Sequence, residues 1–473
     1  MSSDVRRVAL LSVRRFRTVA SLSALALVPL GALVACGDGD APARPRFDPD
    51  ASQAALPEAG PQTDGPAPDA RGVFDPKDEP VTCEATPCAV EIVAGDDHFC
   101  ARLSDGTVRC WGDDSRGQRG IDPSGGGEPD EAPKVSVTGI ARATQISAAG
   151  ATTCARVDDG RVLCWGGNQN AELGRAIDPP FDEDAHPIPE PVAIDPAARV
   201  DVGHRSVCAT TAAGAVYCWG NDESAQLARG EPAGPGLSPG PAQIGVVVKR
   251  TAAGFDTGFA IDETGAVLSW GAVAGLPGVL SGRVTSISPN PVPGAVHDLA
   301  SVTGFAVSGQ MPGLPPVNGV PGELGPPNQH ACAISGGDVY CWGKSERGAL
   351  GSGLPDAVVP LPTIARLGTT AYAQQIAAGG ETTCVRLTDG NVACTGENER
   401  GQLGTGAAGL FASAFTTAIT LNGRAVQVAV AKETVCALLQ GGTVACWGGN
   451  VHGELGLGTN DDDPHPSATK VLF

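Results

Sequence analysis

The sequence predicts an all-β fold, a seven-bladed β-propeller of four-stranded antiparallel blades, and three observations carry that reading. Glycine and proline are abundant, 65 and 39 of 473 residues, while aromatic residues make up 4%, a composition of many turns and short strands that excludes a long helical bundle. A hairpin-like unit recurs seven times, and six of the seven copies carry two cysteines placed to face each other. Four-stranded sheets repeated around an axis bury their faces against their neighbours, and the ring leaves only short edges exposed.

The first element, residues 1–35, is an export signal. Arg6, Arg7, Arg14, Arg15 and Arg17 precede an apolar run from Val19 to Ala35. That run ends Leu33-Val34-Ala35-Cys36-Gly37, which resembles the lipobox of bacterial lipoproteins and implies lipidation of Cys36. An uncleaved membrane anchor is the competing interpretation, since the run approaches the length that spans a bilayer, but Pro29 and Gly31 favour cleavage. Cleavage removes five Arg and one Asp from 32 basic and 52 acidic residues, leaving 27 and 51 and a formal charge of −24. Such a field repels polyanions and argues against a nucleic-acid partner. Residues 36–82 follow as a tether rich in Pro, Asp, Ala and Gly, too poor in large apolar side chains to fold alone.

The third element, residues 83–473, holds the repeats. They read FCARLSDGTVRCWG from Phe99, TCARVDDGRVLCWG from Thr153, VCATTAAGAVYCWG from Val207, GFAIDETGAVLSWG from Gly258, ACAISGGDVYCWG from Ala331, TCVRLTDGNVACTG from Thr383 and VCALLQGGTVACWG from Val435. Alternating apolar residues flank turns such as Ser104-Asp105-Gly106, where glycine meets the left-handed conformation of a short hairpin loop. An apolar strand precedes each hairpin, as at Glu91-Ile92-Val93-Ala94-Gly95, and further strands near Val135 and Val192 complete four per unit. The succession of Ala-Ala-Gly, Cys-Ala-Leu, Asp-Gly-x-Val-x-Cys-Trp-Gly and Gly-Gln-Leu-Gly resembles the regulator of chromosome condensation repeat family over roughly residues 89–473. The resemblance implies a seven-bladed propeller. The terminal segment Pro466–Phe473 resembles a strand leading into another blade and is expected to pair with the first.

Facing residues on antiparallel strands lie about 4.5–5.5 Å apart, within reach of a disulfide. The pairs are Cys100 with Cys110, Cys154 with Cys164, Cys208 with Cys218, Cys332 with Cys341, Cys384 with Cys394 and Cys436 with Cys446. The fourth unit has lost both partners together, carrying Phe259 and Ser269. Cys83 with Cys88 uses the remainder once Cys36 is lipidated. Structural zinc is disfavoured, because its four ligands converge whereas these pairs belong to separate blades. Paired cysteines outside the cytoplasm read as disulfides.

Every tryptophan (Trp111, Trp165, Trp219, Trp270, Trp342, Trp447) occupies one position of the repeat, with Thr395 in the sixth unit. Packing between blades explains this better than a carbohydrate platform. His98 and His330 stand where other units carry Thr152, Ser206, Thr257, Thr382 or Thr434, a substitution pattern expected of a local hydrogen-bonding device. The acidic run Asp461-Asp462-Asp463 reads as a solvated loop rather than a calcium site. No catalytic constellation stands out, and neither a cofactor nor a metal is expected.

An insertion at about 305–329 breaks the period, with Leu299 taken as the counterpart of Ile92 and Gly304-Phe305-Ala306-Val307 as a repeat fragment. Its Pro-rich stretch supplies a candidate partner loop, Met311, Leu314, Pro315, Pro316, Val317 and Val320. The expected function is a non-catalytic, lipid-anchored binding propeller of the bacterial envelope, periplasmic or at the cell surface, whose partner is an envelope or extracellular protein. The alternatives are inhibition of a secreted or envelope enzyme by occlusion under a propeller face, and cell-wall carbohydrate binding. The family resemblance also implies guanine-nucleotide exchange, which export and disulfides disfavour.

Overall fold

A computed structural model describes residues 73–76, 79–125, 135–175, 179, 181–230, 234, 236–273, 279–284, 288–310, 328–417 and 421–473. Residues 1–35, Cys36 and the partner-loop residues Met311, Leu314, Pro315, Pro316, Val317 and Val320 lie outside that set. Among the described residues no helix is long and apolar enough to cross a membrane.

The strands form seven antiparallel sheets, each made of strands consecutive in sequence. Blade 2 shows the plan: an inner strand Ala143–Ala149, the hairpin Thr152–Val157 and Val162–Asn168, and an outer strand Asp182–Pro191. The other inner strands are Ala89–Ala94, Ala197–Val202, Val248–Ala253, Val302–Gln310, Ala373–Gly379 and Ala425–Val430, and all seven line one axial cavity. Six sheets have four strands. Blade 1 has three, and its fourth position is marked by the isolated bridge between Arg109 and Ser136 and by the Val137 N–H donating to the Val108 carbonyl.

The alternation seen in the hairpins has its physical outcome in burial. In His98–Leu103 and its counterparts nearly every side chain is buried, because one face of each sheet meets the preceding blade and the other the following one. The core is therefore divided into seven clusters, each shared by neighbouring blades.

All seven disulfides are present. In the six hairpin bridges the Cα atoms are 4.1 Å apart, and the shortened Cys332–Cys341 loop keeps its partners facing through Gly336 and Gly337, both in the left-handed region at φ 61° and 86°. Phe259 faces Ser269 in the same register in blade 4. The set suits an oxidising environment outside the cytoplasm.

Three expectations are corrected. The last strand, Asp461–Lys470, pairs with Val444–Asn450 of its own blade and not with blade 1. Its continuation repeats what the outer strands of blades 2 to 5 do: the Val471 N–H donates to the Val444 carbonyl as that of Val192 does to Val162. Second, the insertion is narrower than 305–329. Phe305, not Leu299, is the counterpart of Ile92: each faces the alanine that follows the first hairpin cysteine, Ala333 and Ala101. The segment Gly304–Val307 is the inner strand itself, pairing continues out to Gln310 and Asn328, and the extra chain is confined to residues 311–327. Third, the end of the 36–82 tether is held on the propeller. Phe74 packs against Tyr372 with ring centroids 5.4 Å apart, and Glu79 pairs with Arg424 at 2.7 Å. The Thr82 N–H also donates to the Gln440 carbonyl. An aromatic anchor and an acid opposite an arginine offset the ordering entropy of this segment.

Candidate functional site

The seams between blades determine which surfaces remain free. Trp165, Trp219, Trp270, Trp342 and Trp447 are 0–1% exposed, and each donates its indole N–H to a carbonyl of the preceding blade: Gln118, Glu172, Gln226, Leu280 and Gln402, at 2.6–2.9 Å. Trp111 donates to the Glu454 carbonyl at 2.8 Å and so closes the ring between the first and last blades, where its ring also meets Phe473 edge-on. Thr395 replaces the indole in blade 6, its hydroxyl bonding to the Gly348 carbonyl at 2.9 Å. No indole is available to a sugar.

The Gly-Gln-Leu-Gly segments fold as turns that accept these indoles. Their Gln or Glu side chain caps an N–H two residues earlier: Gln118 with Arg116, Glu172 with Asn170, Gln226 with Ser224, Gln402 with Arg400 and Glu454 with His452. Gly404, at φ 66°, must be glycine, because a Cβ there would lie 2.7 Å from the Trp447 Nε1.

The two histidines do more than their hydroxyl counterparts. Thr152, Thr257 and Thr434 bond within their own blade, to the carbonyls of Gly167, Ala272 and Gly449. His98 Nε2 instead reaches Thr153 Oγ1 in the next blade at 2.7 Å, and His330 reaches Thr383 Oγ1 at 2.8 Å. The expected device is thus a bridge between blades. Burial lowers both imidazole pKa values to about 4, so both are neutral at pH 7.

With the seams filled, the loops at the two ends of the ring are the available surface. At one end the hairpin turns use their own acids. Asp105 accepts from Thr107, Asp262 from Thr264 and Asp389 from Asn391. Those internal bonds hold Asp105 and Asp262 below the usual carboxylate range. The opposite end, formed by the turns after the inner strands and the loops after the third strands, is different. Burial raises the pKa of Asp97, Asp114, Glu172, Asp222, Asp256, Glu381 and Glu454 there. Between blades 6 and 7 the carboxylates crowd furthest. Glu397 is pushed up to about 7, by burial first and with Glu399, Glu433 and Glu381 adding to it against the opposing pull of Arg347. Arg347 pairs with Glu399 at 2.5 Å and Arg400 with Glu433 at 3.3 Å, which leaves Glu397 without an ion pair among the described residues.

Between blades 1 and 7 on this same end, Asp97, His452 and Glu454 bring one ligating atom each to within 4.8 Å of one another. It is the group among the described residues with donors suited to a metal. Asp461 and Asp462 are occupied by the protein: Asp461 accepts from Asn450, His465 and the Asp463 N–H, and Asp462 pairs with Arg400 at 2.7 Å. The histidine bridges, the capping role of the Gln-Leu segments and this acidic crowding were not anticipated from sequence. The Glu433 and Glu397-Asn398-Glu399 positions were visible there, but only the ring brings them together.

Comparison with known proteins places this architecture. The regulator of chromosome condensation (RCC1) repeat models match residues 89–118, 143–172 and 373–402 and, in a second form, 336–386. The human X-linked retinitis pigmentosa GTPase regulator is 30% identical over 142 residues, 30% of this chain and 14% of that protein. Protein pim1 of Schizosaccharomyces pombe is 24% identical over 352 residues, 67% of this chain and 61% of that one. The chain thus spans less than two thirds of the length of either relative. The crystal structure of Prp20p from Saccharomyces cerevisiae superimposes with a TM-score of 0.56 at 20% identity, covering 72% of this chain and 80% of that one. The chain is therefore a seven-bladed β-propeller that carries regulator of chromosome condensation repeats.

Proposed function

We propose that this propeller is a non-catalytic protein-binding platform, held outside the cytoplasm by a lipid on Cys36, and that its acidic end docks a basic surface of an envelope or extracellular protein. The observation that carries the reading is the crowding at Glu381, Glu397, Glu399 and Glu433. There Glu397 is raised to about 7, and Arg347, the cation acting on it, is paired with Glu399. A lysine or arginine from a partner supplies the missing charge and relieves the repulsion. At the other end Asp105, Asp262 and Asp389 are already satisfied by their own turns, which favours the crowded end. Export is supported by the seven disulfides and by the lipobox residues Leu33 to Cys36. The retinitis pigmentosa GTPase regulator, by its name, acts on another protein, in keeping with such a role.

The test is capture from solubilised envelopes by the wild-type chain and by a Glu397→Gln/Glu399→Gln variant, read across a salt series. The proposal expects a partner whose retention falls with salt and with the substitutions. Retention indifferent to both would exclude the acidic end.

A further inference from the structure

The inner wall of the ring is capped from blade to blade at four seams, and the seam between blades 4 and 5 carries an arginine in place of the cap. Gln427, Gln375 and Gln145 each bracket the next inner strand. Their Nε2 donates to the carbonyls of Ile92, Val428 and Val200, while their Oε1 accepts the N–H of the same residue, at 2.6–3.0 Å. Glu91, at the same place in blade 1, accepts the Ile146 N–H. These caps satisfy backbone groups that have no further strand to pair with.

Blade 4 carries Arg250 at this position. Its Nη2 donates to the Phe305 carbonyl at 3.2 Å, but a guanidinium has no acceptor to give the Phe305 N–H. Among the described residues Arg250 also forms no ion pair with a carboxylate. Asp201, within its field, is already committed: Oδ1 accepts Arg199 Nε at 2.7 Å, and Oδ2 accepts the Thr251 N–H and hydroxyl at 2.9 and 3.0 Å. The Arg250 Nε is shut off from solvent without a hydrogen-bond partner. Burial, and secondarily the like charge of Arg199, lowers its pKa to about 10, so it remains a cation at pH 7. All of this lies on the wall of the axial cavity, about 770 Å³, in a chain of formal charge −20.

We infer that this sector of the channel binds a small oxyanion, a carboxylate or a phosphate, between the Arg250 guanidinium and the Phe305 N–H. One oxygen would stand where a glutamine Oε1 stands in the bracketed seams, accepting the backbone N–H, while the negative charge meets Arg250. A charge-assisted guanidinium–oxyanion contact is among the stronger polar contacts a protein makes, and partial burial shields it from salt.

The probes are inorganic phosphate and citrate, titrated calorimetrically into the mature chain at constant ionic strength, with chloride as the balancing ion. The expected result is saturable binding of at least one probe and a rise in Tm that follows occupancy. Binding of phosphate alone, citrate alone or both identifies the source chemistry, and each supports the site. Arg250→Gln restores the bracket found in the neighbouring seams, so it keeps the fold while weakening binding by at least about tenfold. The inference is overturned if neither probe binds saturably below about 10 mM, or if the wild-type chain and Arg250→Gln bind alike.

Discussion

The buried histidines make folding stability depend on pH in a way that can be isolated. His98 is fully buried, its Nε2 engages Thr153, its Nδ1 has no partner, and its ring lies where a Cβ on Gly95 would be, 2.2 Å from Cε1. Its pKa falls from 6.5 in the unfolded chain to about 4 in the fold, and His330 behaves alike. The unfolded state therefore binds protons first as pH drops. The stability is fully present above pH 6.5 and is lost as pH falls through the folded pKa of about 4. At roughly 1.4 kcal/mol per pH unit between those values, each site loses about 2 kcal/mol at pH 5 and about 3 kcal/mol at pH 3. The raised carboxylates, Asp97, Glu172, Glu381, Glu397 and Glu454 among them, act in the opposite direction, since the folded state protonates first there. The wild-type curve alone is therefore ambiguous, and the informative quantity is its difference from His98→Gln. Urea midpoints at pH 7.5 and pH 5 should show that difference shifting by about 2 kcal/mol in favour of the variant. A difference that does not change with pH would refute the neutral, buried state assigned to His98.

Further predictions follow from the seams and the insertion. Trp111→Phe and Trp219→Phe leave the Glu454 and Glu172 carbonyls without their donor, and each should lose about 1–3 kcal/mol by urea denaturation. A much smaller loss at Trp111 would mean that the ring is not closed by this contact. Replacing Cys384 and Cys394 together by serine opens a loop with sequence separation 10 and should lower stability by roughly 2–3 kcal/mol, whereas reducing agent should shift wild type further because all seven bridges open. Replacing residues 311–327 by a Gly-Gly turn should preserve the circular dichroism spectrum, since Gln310 already pairs with Asn328. Binding of a basic partner at the acidic end should strengthen as pH rises through about 7, because Glu397 must release its proton to meet a cation; flat affinity from pH 6 to 8 would count against Glu397.

The hairpins, the cysteine pairs and the packing role of the tryptophans were legible because each is local: alternation, a ten-residue spacing and one repeated position suffice. What depended on distant chain was not. The polar residue in five of the inner strands, Glu91, Gln145, Arg250, Gln375 or Gln427, looks like a solvent-facing strand position until the neighbouring blade supplies its backbone partner. Leu299 was mistaken for the counterpart of Ile92 because an apolar residue near the expected spacing satisfies a pattern, and only pairing with Ala333 identifies Phe305. Pro466–Phe473 resembles a leading strand, yet the run that opens its strand, Asp461-Asp462-Asp463-Pro464-His465-Pro466, matches Asp182-Glu183-Asp184-Ala185-His186-Pro187 of an outer strand. The acidic end could not be seen as one surface, since Glu381 and Glu433 are 52 residues apart and meet only through the ring.

The central claim, that the acidic end is the docking surface, is tested most directly by photo-crosslinking in cells of the organism that makes the protein. A crosslinking residue replaces Leu410, beside Asn398 at the acidic end, in one strain and Asp298 at the turn end in another; both positions are exposed. The account predicts a discrete crosslinked protein from position 410, reduced by Glu397→Gln, and none from position 298. Crosslinks from position 298 alone, or the same product from both, would contradict it.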